Sequence, residues 1–125
     1  MSRARLNFVA IPAVVEALDT GREPEPVQLR DAVRALLAAL ATRAPGRSVE
    51  VRVPPYGAVQ CVPGPRHTRG TPPNVVETDP VTWCAIATGR LRWADAVAAG
   101  RVRASGNRTD LSEYLPVWNS DQMTQ

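Results

Sequence analysis

Apolar positions recur with a helical period in two stretches of the N-terminal half. From Val27 to about Thr42 one face is apolar and the other is polar and charged, which predicts an amphipathic helix that covers a sheet. Pro45 and Gly46 should end this helix. Residues 1–26 are predicted to hold a shorter helix, starting near Pro12, and a polar linker. The apolar face of the long helix consists of Leu29, Val33, Leu36, Leu37 and Leu40.

Strict alternation of apolar and polar residues predicts strands in the middle of the chain. Val49 to Val53 should face the core with its three valines. Tyr56 to Val62 follows closely enough to form a hairpin with it. Residues 74–77 predict a brief edge strand, whose unpaired side would favour a homodimer over a monomer. Arg101 to Ala104 alternates again and predicts a further strand.

Helix start and stop signals are densest in the C-terminal half. Asp79 and Pro80 predict a helix start, because a carboxylate caps free amides and proline has no amide to leave unpaired. Gly89 should end that helix. A shorter helix is predicted to begin at Trp93 and to end at Gly100.

A last helix is predicted from the acidic pair Asp110 and Glu113, which is a variant of the capping box. Pro116 should stop this helix, and residues 119–125 should form a loose tail. The strands thus form a central block between helices. This order predicts an α+β fold, with a single mixed or antiparallel sheet of about five strands and helices packed on one face.

Length and charge limit the classes of protein that fit. A chain of 125 residues with 44% hydrophobic and 22% charged residues is typical of one globular domain, spanning residues 1–125. Every basic residue is arginine, which with the abundant alanine indicates a high-GC bacterial genome. The net charge is only +3, and the arginines are interleaved with twelve carboxylates. No clustered basic face is therefore expected, and no nucleic-acid partner.

Targeting and redox signals are weak. No stretch approaches the roughly 20 apolar residues that span a bilayer, so we expect no stable membrane insertion and a cytoplasmic location. Cys61 and Cys84 lie far apart among apolar neighbours, which favours buried free thiols over a disulfide or a reactive pair. With one histidine and no ligand spacing, neither a metal site nor a cofactor is expected.

One stretch resembles a known family. Thr88 to Ala96, TGRLRWADA, followed by Gly100-Arg101-Val102 and Ser105-Gly106, resembles the C-terminal core of the sterol-carrier-protein family. His67 to Trp83, HTRGTPPNVVETDPVTW, is similar to a bacterial, chiefly actinobacterial, branch of small sterol-carrier orthologues. A similar domain also occurs joined to mycothiol-dependent isomerase-like domains. The resemblance implies a five-stranded sheet under helices and, in lipid-carrying members, an apolar tunnel between the layers.

Such a carrier needs an apolar cavity that side chains leave unfilled. The alternative is that the same apolar residues simply pack together as a core. The candidate lining residues are Leu36, Leu40, Trp83, Ile86, Leu91, Trp93, Val97, Leu111, Tyr114, Leu115 and Trp118.

A second candidate site is the polar, proline-rich loop from His67 to Asp79. Arg69 could bind an anionic group bidentately, and His67 could change charge near neutral pH. Glu77 and Asp79 could orient Arg69 or act as acid and base. The structural alternative is that Asp79 caps a helix, Glu77 pairs within the loop and Asn74 satisfies loop backbone.

Three classes of function fit these patterns. The first is an intracellular, non-enzymatic carrier of a lipid or sterol-like ligand, which the resemblance implies. The second is a protein-interaction or regulatory module with a closed core, which would use the polar loop to bind a partner or an anionic ligand. The third is an accessory catalytic domain. No catalytic motif is present in the sequence, so we expect no enzyme activity.

Overall fold

The computed structural model describes residues 6–64 and 74–121, which form four α-helices, four strands and a short 3₁₀ helix. The helices are α1 (Ala10–Asp19), α2 (Pro26–Arg43), α3 (Pro80–Ala87) and α4 (Trp93–Ala98). The strands are β1 (Val49–Val53), β2 (Gly57–Cys61), β3 (Asn74–Thr78) and β4 (Val102–Ser105), and the 3₁₀ helix is Ser112–Tyr114.

The four strands form one mixed sheet in the order β2-β1-β3-β4. β1 and β2 pair antiparallel as the predicted hairpin, β1 and β3 pair parallel, and β3 and β4 pair antiparallel. The predicted α+β class with a single mixed sheet is therefore confirmed.

The prediction of β3 as an edge strand is wrong. β3 is paired on both sides, and Val76 at its centre is 1% exposed because it packs beside the buried valines of β1. A short polar-flanked strand can still be central when it pairs with a strand distant in the sequence, and this pairing leaves no local signal. The open side of β3 that would have favoured a homodimer does not exist.

The helices pack on one face of the sheet and enclose a single core. Val49, Val51 and Val53 alternate inward and are fully buried, as are Leu36 and Leu40 on α2. α2 crosses β2 beside Gly57, where a Cβ would lie in ordinary van der Waals contact with Leu37 Cδ1, at 3.4 Å. The indole Nε1 of Trp83 on α3 donates to the Val33 carbonyl on α2 at 3.4 Å.

Acidic side chains cap the starts of α2 and α3, and of these two caps the one on α3 was predicted. The Glu25 side chain accepts from the amides of Val27 and Gln28 at 3.0 and 2.9 Å, with Pro26 at the first helical position. Asp79 caps α3 by accepting from the Thr82 amide at 3.0 Å, again with proline next.

The prediction of a last α-helix after Asp110 is wrong. Asp110 Oδ1 does accept from the Ser112 amide at 2.9 Å, but only the 3₁₀ helix Ser112–Tyr114 follows. Leu115 is extended, with φ −115° and ψ 145°. The residue before a proline is disfavoured in the helical region, so Pro116 ends the helix before one full α-turn can follow.

The junction between α2 and β1 is fastened to the end of β2. The Val62 amide donates to the Ala44 carbonyl at 2.6 Å, and the Val62 carbonyl accepts from both the amide and the hydroxyl of Ser48, at 3.1 and 2.8 Å. Gly46 lies in this junction with a φ of 151°, and its α-carbon faces the Val62 backbone so closely that no Cβ fits. These contacts hold α2 over the hairpin.

Candidate ligand groove and polar sites

An apolar groove of about 360 Å³ lies where the end of α3, the start of α4 and the segment after the 3₁₀ helix meet. The residues that line it are Ile86, Gly89, Leu91, Arg92, Trp93, Ala94, Ser112, Leu115 and Pro116. Most of these side chains are apolar and come from three separate parts of the helical layer.

The groove wall after the 3₁₀ helix is fixed to α3 by hydrogen bonds. The amides of Val117 and Trp118 both donate to the Ala87 carbonyl, at 2.9 and 3.2 Å. Pro116 lies against Gly89, where a Cβ would be 3.5 Å from the proline ring. These contacts hold this wall of the groove in a fixed position against the end of α3.

Arg90 connects the end of α3 to α1 and to the segment after the groove wall. Its guanidinium donates to both carboxylate oxygens of Asp19, to Ser120 Oγ and to the Thr88 carbonyl. It also lies 5.9 Å from the centre of the Trp118 ring, within the range of a cation–π contact.

The chemistry of the groove is that of an amphipathic site. Leu91, Trp93 and Leu115 are half-buried, so each offers apolar surface that is in contact with water. Arg92 is exposed at the groove, and within the described residues no carboxylate lies within ion-pair distance of it. The groove can thus accept an apolar chain, and Arg92 can bind an anionic end.

The residues that the sequence nominated as cavity lining fall into three groups. Four line the groove: Ile86, Leu91, Trp93 and Leu115. Six belong to the core or pack against it: Leu36, Leu40, Trp83, Leu111, Trp118 and Tyr114. Val97 is 45% exposed on α4 and lies outside the groove lining.

The sequence did not point to five of the nine lining residues, and Arg92 is the charged one among these five. The lining residues predicted from the sequence are all apolar or aromatic, and Arg92 stands between two of them, Leu91 and Trp93, in the stretch that carries the family resemblance. A charged residue flanked by two nominated apolar residues was the available signal.

The polar residues at the ends of β3 are separated by the strand. Asn74 is buried, where its Nδ2 donates to the Ser48 carbonyl and its Oδ1 accepts from the Arg108 amide, both at 2.9 Å. Asn74 therefore connects the start of β3 to the residue before β1 and to the loop after β4. His67 and Arg69 lie outside the described residues.

Glu77 and Asp79 lie at the other end of β3, beside an open cavity of about 370 Å³. Arg101 and Arg103 complete its charged lining. Partial burial raises the pKa of Asp79, but the hydrogen bonds from Thr82 and the charge of Arg101 outweigh it and hold that pKa below 3.8. Two arginines and two carboxylates balance the charge of this cavity.

The thiols of Cys61 and Cys84 are both buried and are poor nucleophiles. Burial raises the pKa of Cys61 to about 11 and that of Cys84 to about 12, with the Asp79 charge adding to the second. Thiolate is the reactive form, so both thiols are unreactive at neutral pH. No three His, Cys, Asp or Glu side chains converge as metal ligands in residues 6–64 and 74–121.

A mixed sheet with helices on one face, and a groove among those helices, defines a small α+β domain of the sterol-carrier type that the sequence resemblance implied. A family model described as bacterial SCP ortholog matches residues 25–117. The chain belongs to this bacterial SCP ortholog family, which confirms the resemblance. No curated protein matches the chain significantly.

The match covers all the strands and α2, α3 and α4, and it ends at Val117, beside the groove wall. α1 lies before the matched region. Over the part of the chain that the structure describes, each helix is too short or too polar to cross a bilayer.

Proposed function

We propose that this domain is a non-enzymatic carrier of a hydrophobic small molecule, which it binds in the groove between α3, α4 and the 3₁₀ segment. The observation that supports this proposal is the groove itself, with four nominated lining residues on its walls. Membership of the bacterial SCP ortholog family supports the same class of function.

The size and lining of the groove suit a single acyl-type chain. Small-molecule sites are commonly clefts of about 300–1,000 Å³ with mostly apolar walls and few polar groups, and the groove has about 360 Å³. An elongated ligand would lie against Leu91, Trp93 and Leu115, with its polar end near Arg92. Burial of an apolar chain contributes about 0.8 kcal/mol for each methylene removed from water.

A groove at the surface fits transfer better than storage. Ligand bound against half-exposed side chains can leave without opening the core, in which Leu36, Leu40 and Trp83 are fully packed. We therefore place the ligand in the groove and outside the space between sheet and helices.

A brominated long-chain fatty acid tests the proposal, because bromine quenches tryptophan fluorescence on contact. Trp93 lies on the groove wall, whereas Trp83 and Trp118 are buried in the core. Titration should quench the Trp93 emission in a saturable way, and W93F should retain binding by calorimetry while it loses most of the quenching.

Matched variants locate the site. Leu91→Asn places a polar group in the groove and should weaken binding by roughly tenfold, since part of a leucine contact is lost. Val97→Asn makes a comparable change on the exposed side of α4 and should leave affinity unchanged. Equal affinity in the two variants, with both folded by circular dichroism, would remove the groove as the site.

A further inference from the structure

We propose that β4 is a docking edge for an extended acidic segment of a partner protein, which adds to the sheet as a further strand. The observation behind this is an incomplete row of alternating charges that ends at Arg103. The proposal is independent of the carrier function, since it uses the sheet and not the groove.

The outer side of β4 is available for pairing. β4 pairs with β3 through four residue pairs, from Val75 with Ser105 to Thr78 with Val102. In the described part of the chain no other strand pairs with β4. Arg103, Ala104 and Ser105 are all exposed, so neither a helix nor a loop of that part covers this half of the strand.

A row of charges crosses the open face of the sheet. Arg52 on β1 is in register with Glu77 on β3, and Glu77 is in register with Arg103 on β4. Opposite charges on directly paired residues favour the pairing of neighbouring strands, and the Arg52 guanidinium here also pairs with Glu50 on its own strand at 2.6 Å. The sequence of charges across the sheet is therefore plus, minus, plus, and a strand that carried an acidic residue beside Arg103 would continue it.

Arg101, directly before β4, supplies a second positive charge two residues earlier. Side chains at positions two apart point to the same side of an extended chain, so Arg101 and Arg103 both flank the cavity at the end of β3. Neither guanidinium has a carboxylate within 4.0 Å in residues 6–64 and 74–121. An incoming strand with acidic residues at alternate positions would pair with both.

Charge disfavours two simpler occupants. A second copy of β4, paired antiparallel with Arg103 opposite Arg103, would place like charges side by side, which is unfavourable. A small free anion would meet Glu77 and Asp79 in the same cavity. An extended peptide avoids this conflict, because its backbone pairs with β4 and its acidic side chains lie beyond the edge. This is the β-augmentation mode, in which main-chain hydrogen bonds give affinity and side chains give register.

A fluorescein-labelled ten-residue peptide of alternating threonine and glutamate tests the proposal by fluorescence anisotropy. It should bind the protein, with an affinity that falls as salt rises. The double variant R101E/R103E should weaken binding at least about tenfold, and it should now bind the peptide in which lysine replaces glutamate. Hydrogen exchange should show added protection at the amides of β4 when the glutamate peptide is bound.

The double variant R43E/R47E is the matched control, because it changes the net charge equally on an exposed surface away from β4. It should retain the affinity of the parent protein. Equal losses in the two double variants would mean unspecific attraction and would overturn the proposal. Absence of peptide binding at low salt, or protection confined to other strands, would overturn it as well.

Discussion

Asp79 caps α3, and its negative charge also contributes to stability. Its carboxylate accepts from the Thr82 amide at 3.0 Å and from the Thr82 hydroxyl at 2.5 Å. Asp79→Ala should therefore reduce the free energy of unfolding by about 1 kcal/mol, the usual contribution of an N-cap. Asp79→Asn should lose less, since asparagine is also a good N-cap. Urea denaturation near neutral pH measures both losses.

The pH dependence separates the charge from the cap. The folded-state pKa of Asp79 is below its ordinary value of 3.8, so the ionised carboxylate stabilises the native state at pH values above 3.8. This contribution is lost as the pH falls through the folded-state pKa. The difference in stability between the parent protein and Asp79→Asn should shrink over that range. A difference that stayed constant would assign the effect to the cap alone.

Arg92 should decide which end group the groove prefers. Arg92→Gln removes the charge but keeps most of the side-chain length. It should weaken binding of a long-chain fatty acid by roughly threefold to tenfold, because a hydrogen bond to a charged group is lost at an exposed site. Binding of the alcohol with the same chain length should not change. Competition against one fluorescent fatty acid measures both ligands, and equal effects on the two would show that Arg92 does not contact the end group.

Single-residue signals in the sequence were informative where the chemistry is local. The cap at Asp79 could be predicted because a carboxylate before a proline acts on the next few amides of the chain. That Asn74 satisfies backbone groups was one of the alternatives stated from the sequence, but its partners Ser48 and Arg108 could not be named, since they are 26 and 34 residues away.

The junction between α2 and β1 shows how one backbone position controls two elements. A side chain at Gly46 would overlap the backbone of Val62, and the residue has a φ of 151°. Gly46→Ala should reduce the free energy of unfolding by roughly 3 kcal/mol or more, from backbone strain and overpacking together.

Gly21→Ala is the matched control for that change. Gly21 also has a positive φ, of 70°, but no atom lies within 4 Å of the place where its Cβ would be. Its substitution should cost only about 1 kcal/mol, the backbone term. Thermal or urea unfolding of both variants gives the difference, and similar losses would show that the contact with Val62 is unimportant.

Elements could be predicted better than their arrangement. The period of the long helix and the alternation of β1 each depend on near neighbours, and the structure has both at about the expected bounds. The central place of β3 depends on its pairing with β1, from which it is separated in the sequence by β2 and the residues after it. The groove depends on three segments that meet only after folding, so the sequence could name some of its residues but not its position.

At the scale of the whole molecule, the two thiols report on the integrity of the core. Cys61 and Cys84 are both buried, on β2 and α3. A thiol reagent at neutral pH should modify neither in the folded protein within minutes and both in urea. Rapid modification of one thiol without denaturant would show that part of the core opens separately.

The same thiols should lower stability in alkali. Burial raises their pKa values from 9.0 to about 11 and 12, so above pH 9.0 they ionise in the unfolded chain before they ionise in the folded one. Their stabilising contribution is therefore complete below 9.0 and is lost as the pH rises through these folded-state values. Alkaline unfolding that is unchanged in Cys61→Ala and Cys84→Ala would contradict this.

The parallel pairing of β1 with β3 has a consequence for folding during synthesis on the ribosome. A ribosome releases β1 and β2 before β3, so during synthesis the nascent hairpin has one complete side and one bare side. That bare side carries the valines of β1 and unpaired backbone groups, a combination that attracts other unfolded chains. β1 can gain its second partner strand only after Thr78 has emerged, and a chain truncated earlier should be insoluble or remain bound to chaperones.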